Sequence, residues 1–173
     1  MKLGFTGTRE GMRGLQMRAA NYFLLAKHPS EVHHGDCVGA DAQIQVLANG
    51  ADAKTVAHPP TSKRLRAFCH EANEMREPKD CLARNKDIVD ETDHLLAAPK
   101  THIEEPRSGT WWTVRYALKT GKPVTIVWPD GTKSDYQLTR AGSGDNSDAA
   151  ESSVLHSSPP DFPCEEISDD LGE

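Results

Sequence analysis

The sequence lacks several features, and each absence narrows the field. No stretch of eighteen apolar residues occurs, so no membrane span is expected. The amino-terminal residues lack the charged and apolar pattern of a signal peptide. Four cysteines, Cys37, Cys69, Cys81 and Cys164, form no CxxC pair and no dense cluster. That spacing favours reduced thiols in a cytoplasmic protein over a disulfide framework. His33, His34, Cys37, His58, Cys69 and His70 lack the tight spacing of zinc ligands, so neither a metal nor another cofactor is expected. The dinucleotide fingerprint G-x-G-x-x-G is also missing. Basic residues are absent from the last stretch: positions 141–173 hold nine acidic residues and no Lys or Arg. Positions 1–140 hold 20 basic and 17 acidic residues, too small an excess for a nucleic-acid groove.

The terminal stretch is rich in Ser, Gly, Pro and Asp and poor in large apolar residues. It cannot bury enough surface to offset its ordering entropy. Two regions are therefore expected: a folded domain over 1–140 and an acidic, disordered tail over 141–173.

Within the first region, apolar runs alternate with helical patterns. Strands are expected at Lys2–Thr6, Glu31–His34, Lys54–His58, Asp93–Ala98 and Val124–Trp128. Leu15, Ala19, Tyr22, Phe23 and Ala26 mark the apolar face of a first helix. Further helices are expected at Ala40–Ala48, Leu65–Glu74 and Cys81–Glu91. Thr132–Leu138 can pair back on the last strand through the Asp130-Gly131 turn. This alternation predicts an α/β, Rossmann-like three-layer domain with a mostly parallel five-stranded sheet. In strand two, His33 and His34 should alternate, one inward and one outward.

The stretch 107–129 carries the most information. Ser108-Gly109-Thr110 opens a helix, with Thr110 as its expected N-cap. Trp111, Val114 and Leu118 share one face, while Arg115 and Lys119 should face water. Gly121 suits a left-handed helix end, and Pro123 prevents continuation. A glycine turn before a helix N-terminus offers free N–H groups and a favourable dipole to an anion, most often a phosphate. Two similar turns lie upstream, around Gly7-Thr8-Arg9 and Gly35-Asp36-Cys37-Val38-Gly39-Ala40-Asp41. In an open parallel sheet, such turns gather at the carboxyl ends of the strands, where ligands bind.

The order TGTR, GDCVGAD, LARNKDIVDETDHLLAAP and SGT plus helix resembles the SLOG superfamily of Rossmann-like proteins. That group includes the LOG nucleotide phosphoribohydrolases, the DNA-processing Smf proteins and small stand-alone bacterial and phage members. The resemblance covers residues 1–128 and is closest to the small members. It implies a nucleotide or nucleotide-derived ligand and a homodimer. LOG enzymes cleave the N-glycosidic bond of a nucleoside monophosphate, using an Arg on a helix and paired glutamates that open the next one. Arg84 matches that Arg, but Trp112 and Thr113 fill the glutamate positions. Neither can stabilise an oxocarbenium-like ribose or activate water. Glu104 and Glu105, on an inserted loop, are the carboxylates available to replace them.

Three readings follow: a nucleotide-binding sensor or sequestering protein, a LOG-type hydrolase with a relocated carboxylate, and single-stranded DNA binding, against which the weak basic balance argues. The expected catalytic residues for the second are Arg84, Glu104 and Glu105. The expected ligand contacts are Gly7, Thr8, Arg9, Gly35, Asp36, Gly39, Asp41, Arg84, Asn85, Arg107, Ser108, Gly109, Thr110 and Trp112. Among these, the arginines supply charge-assisted bonds to phosphate, Asp36 or Asp41 accepts from ribose or base, and Trp112 stacks on a base.

Overall fold

A computed structural model describes residues 1–137. The tail and the expected boundary at 140 lie outside the described residues. In chain order the elements are β1 (Lys2–Gly7), α1 (Gly14–Lys27), β2 (Glu31–His34), α2 (Ala40–Gly50), β3 (Lys54–Ala57), a 3-10 turn (Lys63–Leu65), β4 (Glu74–Met75), α3 (Cys81–Asp90), β5 (His94–Ala98), α4 (Gly109–Lys119), β6 (Val124–Val127) and β7 (Lys133–Tyr136).

All seven strands join one sheet in the order β4-β3-β2-β1-β5-β6-β7. Every pairing is parallel except β6 with β7, which run antiparallel. The fold is therefore α/β, with a mostly parallel sheet, as the alternation predicts. Two strands exceed the expected five. β7 is the hairpin partner anticipated over 132–138. β4 is only two residues long, too short to leave a periodic signal.

The expected helix over Leu65–Glu74 does not form. Its backbone groups have better partners elsewhere: Ala67 N–H donates to the Asp36 carbonyl (2.7 Å), and Cys69 N–H to the Asp36 carboxylate (2.8 Å). Phe68 adopts a left-handed φ of 54° and is exposed, so no apolar face holds a helix against the sheet.

Two apolar clusters form the core. One joins Leu3, Phe5, Phe23, Leu24, Val32, Ile44 and Leu96. The other joins Val89, Leu95, Trp111, Val114, Val124 and Ile126, with Leu118 packed against it. The buried stripe of α1 is rotated from the expected one. Gln16, Ala20, Phe23 and Leu24 are buried, while Leu15 and Tyr22 are exposed. Gln16 explains this shift. Its amide donates to the carbonyls of Pro99 (2.9 Å) and Val127 (2.8 Å), so it satisfies strand ends that an apolar residue could not.

His33 and His34 do point to opposite faces, yet both are fully buried because helices cover both sides of the sheet. No helix among the described residues is long and apolar enough to cross a membrane.

Candidate functional site

The strand order reverses direction between β1 and β5, which places a crevice at their carboxyl ends. Thr8 N–H donates to the Ala98 carbonyl (3.0 Å), and the Thr8 carbonyl accepts from Ala40 N–H (3.0 Å). These bonds lock the first glycine turn to the end of β5 and to the start of α2. They also show that the Thr8 N–H is already committed. The Thr8 hydroxyl accepts from Glu10 N–H (3.2 Å). Gly7 is needed for packing, since a Cβ there would lie 2.5 Å from the Ala40 Cβ.

The second turn is occupied by the protein's own groups. A Cβ on Gly35 would fall 1.3 Å from Arg84 Nη1, so the glycine makes the space that the guanidinium fills. Gly39 has φ +89°, and a Cβ there would sit 2.2 Å from the Arg9 carbonyl oxygen. Only glycine fits that approach. Asp36 is fully buried at φ 53°. One carboxylate oxygen accepts from Arg66 Nε (2.7 Å) and the other from Cys69 N–H (2.8 Å). Its role here is to clamp the 66–69 segment across the turn, and it neither caps α2 nor points a free oxygen at a ligand. The N-cap of α2 is Gly39, and Asp41 in the first turn accepts from Cys37 N–H (3.1 Å).

Arg84 sits at the centre of this cluster, buried in the first turns of α3. Nη2 donates to Cys37 Sγ (3.1 Å), and Nη1 lies 3.9 Å from the Asp41 carboxylate. Nε is buried with no acceptor, the one such side-chain atom among the described residues. Burial pushes the Asp41 carboxyl up against the opposing pull of Arg84. It also raises the Cys37 thiol to about 11, so that sulfur is a protonated packing group rather than a nucleophile. Arg9 is exposed, is close enough to Cys37 to oppose that rise, and makes no ion pair among the described residues. Asn85, next to Arg84 in α3, is largely buried, and its side-chain amide, which is not fully enclosed, makes no hydrogen bond among the described residues.

The third turn differs from the other two. Ser108, not Thr110, is the N-cap of α4, its hydroxyl accepting from Trp111 N–H (3.5 Å). A Cβ on Gly109 would meet nothing within 4 Å. The N–H groups of Gly109 and Thr110 have no acceptor among the described residues. Trp112 is buried and stacked on Tyr116 (5.4 Å between centroids, 9° between planes), with Lys86 Nζ 5.9 Å from the ring centroid. Its indole is therefore built into the α3–α4 contact.

The inserted loop is held to α4. Glu104 pairs with Arg115 Nη1 (2.7 Å), whose Nη2 donates to the Pro106 carbonyl (3.0 Å). Arg115 is thus a half-buried loop anchor, not a water-facing residue, whereas Lys119 is exposed. Glu105 and Arg107 are exposed on that loop.

Lys100 was not singled out by the sequence pattern, because nothing local marks it. It bridges to Glu10, tying the loop after β5 to the loop after β1. Beside it, Arg13, Lys100, Thr101, His102, Pro129 and Asp130 line a cavity of about 270 Å³. A larger cavity, about 540 Å³, lies at the opposite edge between α1, β7 and the amino ends of β5 and β6. The free N–H groups of Gly109 and Thr110, Arg9 and the unsatisfied Arg84 Nε all belong to segments at the carboxyl ends of the strands, on the side of the smaller cavity.

The fold and this edge define a Rossmann-like α/β domain whose strand ends meet helix N-termini. A molybdenum cofactor binding protein from Rippkaea orientalis has a similar structure, at a TM-score of 0.55 and 20% identity over 72% of this chain and 74% of that one. The molybdenum cofactor carrier protein of Chlamydomonas reinhardtii matches at 0.53 and 21% over 72% and 74%. DNA processing protein A of Streptococcus pneumoniae matches at 0.57 and 17%, over 72% of this chain but 49% of its own. No family model and no curated relative matches the sequence. The resemblance drawn from the motifs is thus borne out at the level of the fold.

Proposed function

We propose that the protein binds a phosphorylated nucleotide or nucleotide-derived ligand at the carboxyl edge of β1, β2 and β5, as a sensor or sequestering protein. The observation that carries this reading is Arg84: a buried guanidinium whose Nε–H has no acceptor. Such a group costs about 1–3 kcal/mol while it is unsatisfied, and an incoming phosphate oxygen relieves that cost. Gly109 and Thr110 N–H and the Ser108 hydroxyl receive the phosphate at the start of α4. Arg9 and Arg107 add charge from the flanking loops. Gly7, Gly35, Gly39, Asp36 and Asp41 shape the edge from behind, while Asn85 offers an uncommitted amide. Trp112 supports α4 rather than stacking on a base.

Two of the proteins sharing this fold are described as binding or carrying the molybdenum cofactor. That supports small-molecule binding on this fold. The hydrolase reading is weaker, since Glu104 is fixed on Arg115 and the glutamate positions of α4 carry Trp112 and Thr113. On the inserted loop this leaves the exposed Glu105, which accepts from the Thr101 hydroxyl (3.4 Å).

Mass spectrometry of small molecules released on denaturing the purified protein identifies the ligand class directly. Calorimetry with adenosine 5′-monophosphate and with inorganic phosphate then locates the site. Arg84→Lys keeps the charge but removes the Nε–H, and it should weaken binding roughly tenfold to hundredfold, in line with a charge-assisted bond of about 1.5–3 kcal/mol. Lys119→Ala should bind as wild type. Equal affinities in all three proteins would place the ligand elsewhere, and rapid release of free base would make the protein a hydrolase.

A further inference from the structure

A second cluster of side chains lies on the α3 face of the sheet, formed by residues that the anion edge does not use. His33 in β2 and His58 just beyond β3 both project there, because Val56 pairs with His33 and His58 follows two residues later on the same face. The extended pairing continues through His58 N–H, which donates to the His34 carbonyl (2.8 Å). His33 Nδ1 and His58 Nε2 face each other at 3.0 Å, and both side chains are fully buried. Glu91, at the carboxyl end of α3, brings a carboxylate oxygen to 3.8 Å from His33 Nδ1. The three ligand atoms all lie within 4.8 Å of one another.

We propose that His33 Nδ1, His58 Nε2 and the Glu91 carboxylate form a binding site for a divalent transition metal of the zinc class. Metal–nitrogen and metal–oxygen bonds of about 2.0–2.1 Å in a tetrahedron put the ligand atoms about 3.3 Å apart. The observed 3.0 and 3.8 Å bracket that value. A small movement of Glu91 closes the set, and its half-exposed side chain leaves the fourth position reachable by water.

The outer contacts fit the same purpose. His33 Nε2 lies 3.1 Å from the Glu31 carboxylate, which is held ionised by Lys2 and can only accept. The His33 proton is therefore on Nε2, and Nδ1 presents a lone pair. This carboxylate–histidine arrangement fixes the tautomer and the ring orientation of a metal ligand. In the metal-free protein, His58 donates Nε2–H to His33 Nδ1. With metal bound, the His58 proton moves to Nδ1, so both facing nitrogens offer lone pairs. Arg76 bonds Glu91 Oε2 (2.7 Å), the same oxygen that approaches His33, and also pairs with Glu74. Glu91 Oε1 has no partner among the described residues, so the carboxylate can turn toward the two rings while Arg76 keeps hold of Oε2.

The test uses the full chain, stripped of metal, with Zn2+ in competition against a chromophoric chelator and with Co2+ as a spectroscopic probe. One equivalent of Zn2+ should bind, and the Co2+ complex should show ligand-field bands without thiolate charge transfer. Glu31→Gln should weaken Zn2+ by about tenfold to hundredfold, as loss of an outer partner does. Glu91→Gln and His58→Asn should weaken it further. If His58→Asn fails to fold, Glu91→Gln decides, because Glu91 sits half-exposed at a helix end. Failure of the wild type to bind one equivalent, a thiolate band pointing to Cys37 or Cys69, or an unchanged affinity in Glu91→Gln would overturn the assignment.

Discussion

Two of the glycine turns look alike in sequence and differ completely in use. At Gly35 and Gly39 the space left by the missing Cβ is filled from within, by the Arg84 guanidinium and the Arg9 backbone. At Gly109 the space is empty. The β2–β3 half of the molecule is accordingly polar inside, holding His33, His34, Asp36, Asp41, His58 and Arg84 buried. The β5–β6 half beneath Gly109 is closed by the apolar cluster of Leu95, Trp111, Val114 and Ile126. The contrast teaches that a glycine before a helix marks either a close internal approach or open space, and that sequence spacing does not separate the two.

The largest expected effect comes from breaking the filled turn. Gly39→Val adds a Cβ 2.2 Å from the Arg9 carbonyl oxygen at a φ that side chains rarely adopt. It should cost upwards of about 3 kcal/mol or prevent folding, read as a fall in the urea midpoint. A midpoint within experimental error of wild type would show that the turn can open.

Acid should separate the two halves next. Burial, then the nearby His33 and Arg76, pushes the His58 imidazole from its ordinary 6.5 down to about 3. Burial lowers His33 and His34 in the same direction, and His94 of β5 as well, so the β2–β3 half holds three such rings against one. Between those values the unfolded chain takes up a proton that the folded chain refuses. Stability is therefore complete above pH 6.5 and is lost as pH falls toward 3, at about 1.4 kcal/mol per pH unit for one histidine. Hydrogen exchange between pH 6.5 and 4 should show β2 and β3 losing protection before β6. Uniform loss, or none, would contradict the neutral burial of these rings.

The smallest effect is expected at the empty turn. Gly109→Ala meets no neighbour and lies at the first position of α4, where the gain over glycine is smaller than the roughly 0.5–1 kcal/mol of a helix interior. The melting temperature should stay level or rise slightly. A clear fall would mean that the turn is packed from within after all, like Gly35.

The chain by itself determined the βα alternation, because strand and helix periods are written locally in apolar spacing and in punctuation by glycine and proline. It also placed the three turns on one edge, since parallel strands all end on the same side of the sheet. It marked Arg84 as central through a resemblance and not through any local pattern. Tertiary structure alone decided what each polar side chain does. Asp36 became a clamp for residues 66–69 because a distant segment brought two donors to it, and that same demand dissolved the helix expected over Leu65–Glu74. Gln16 outranked Leu15 as a buried residue because two strand-end carbonyls, 83 and 111 positions away, needed an amide donor. His33 met His58 across 25 residues by strand register, and Glu91 joined them from the end of a helix. Hydrogen-bond partners so far apart in sequence leave no spacing to read, and only the closed sheet brings them within reach.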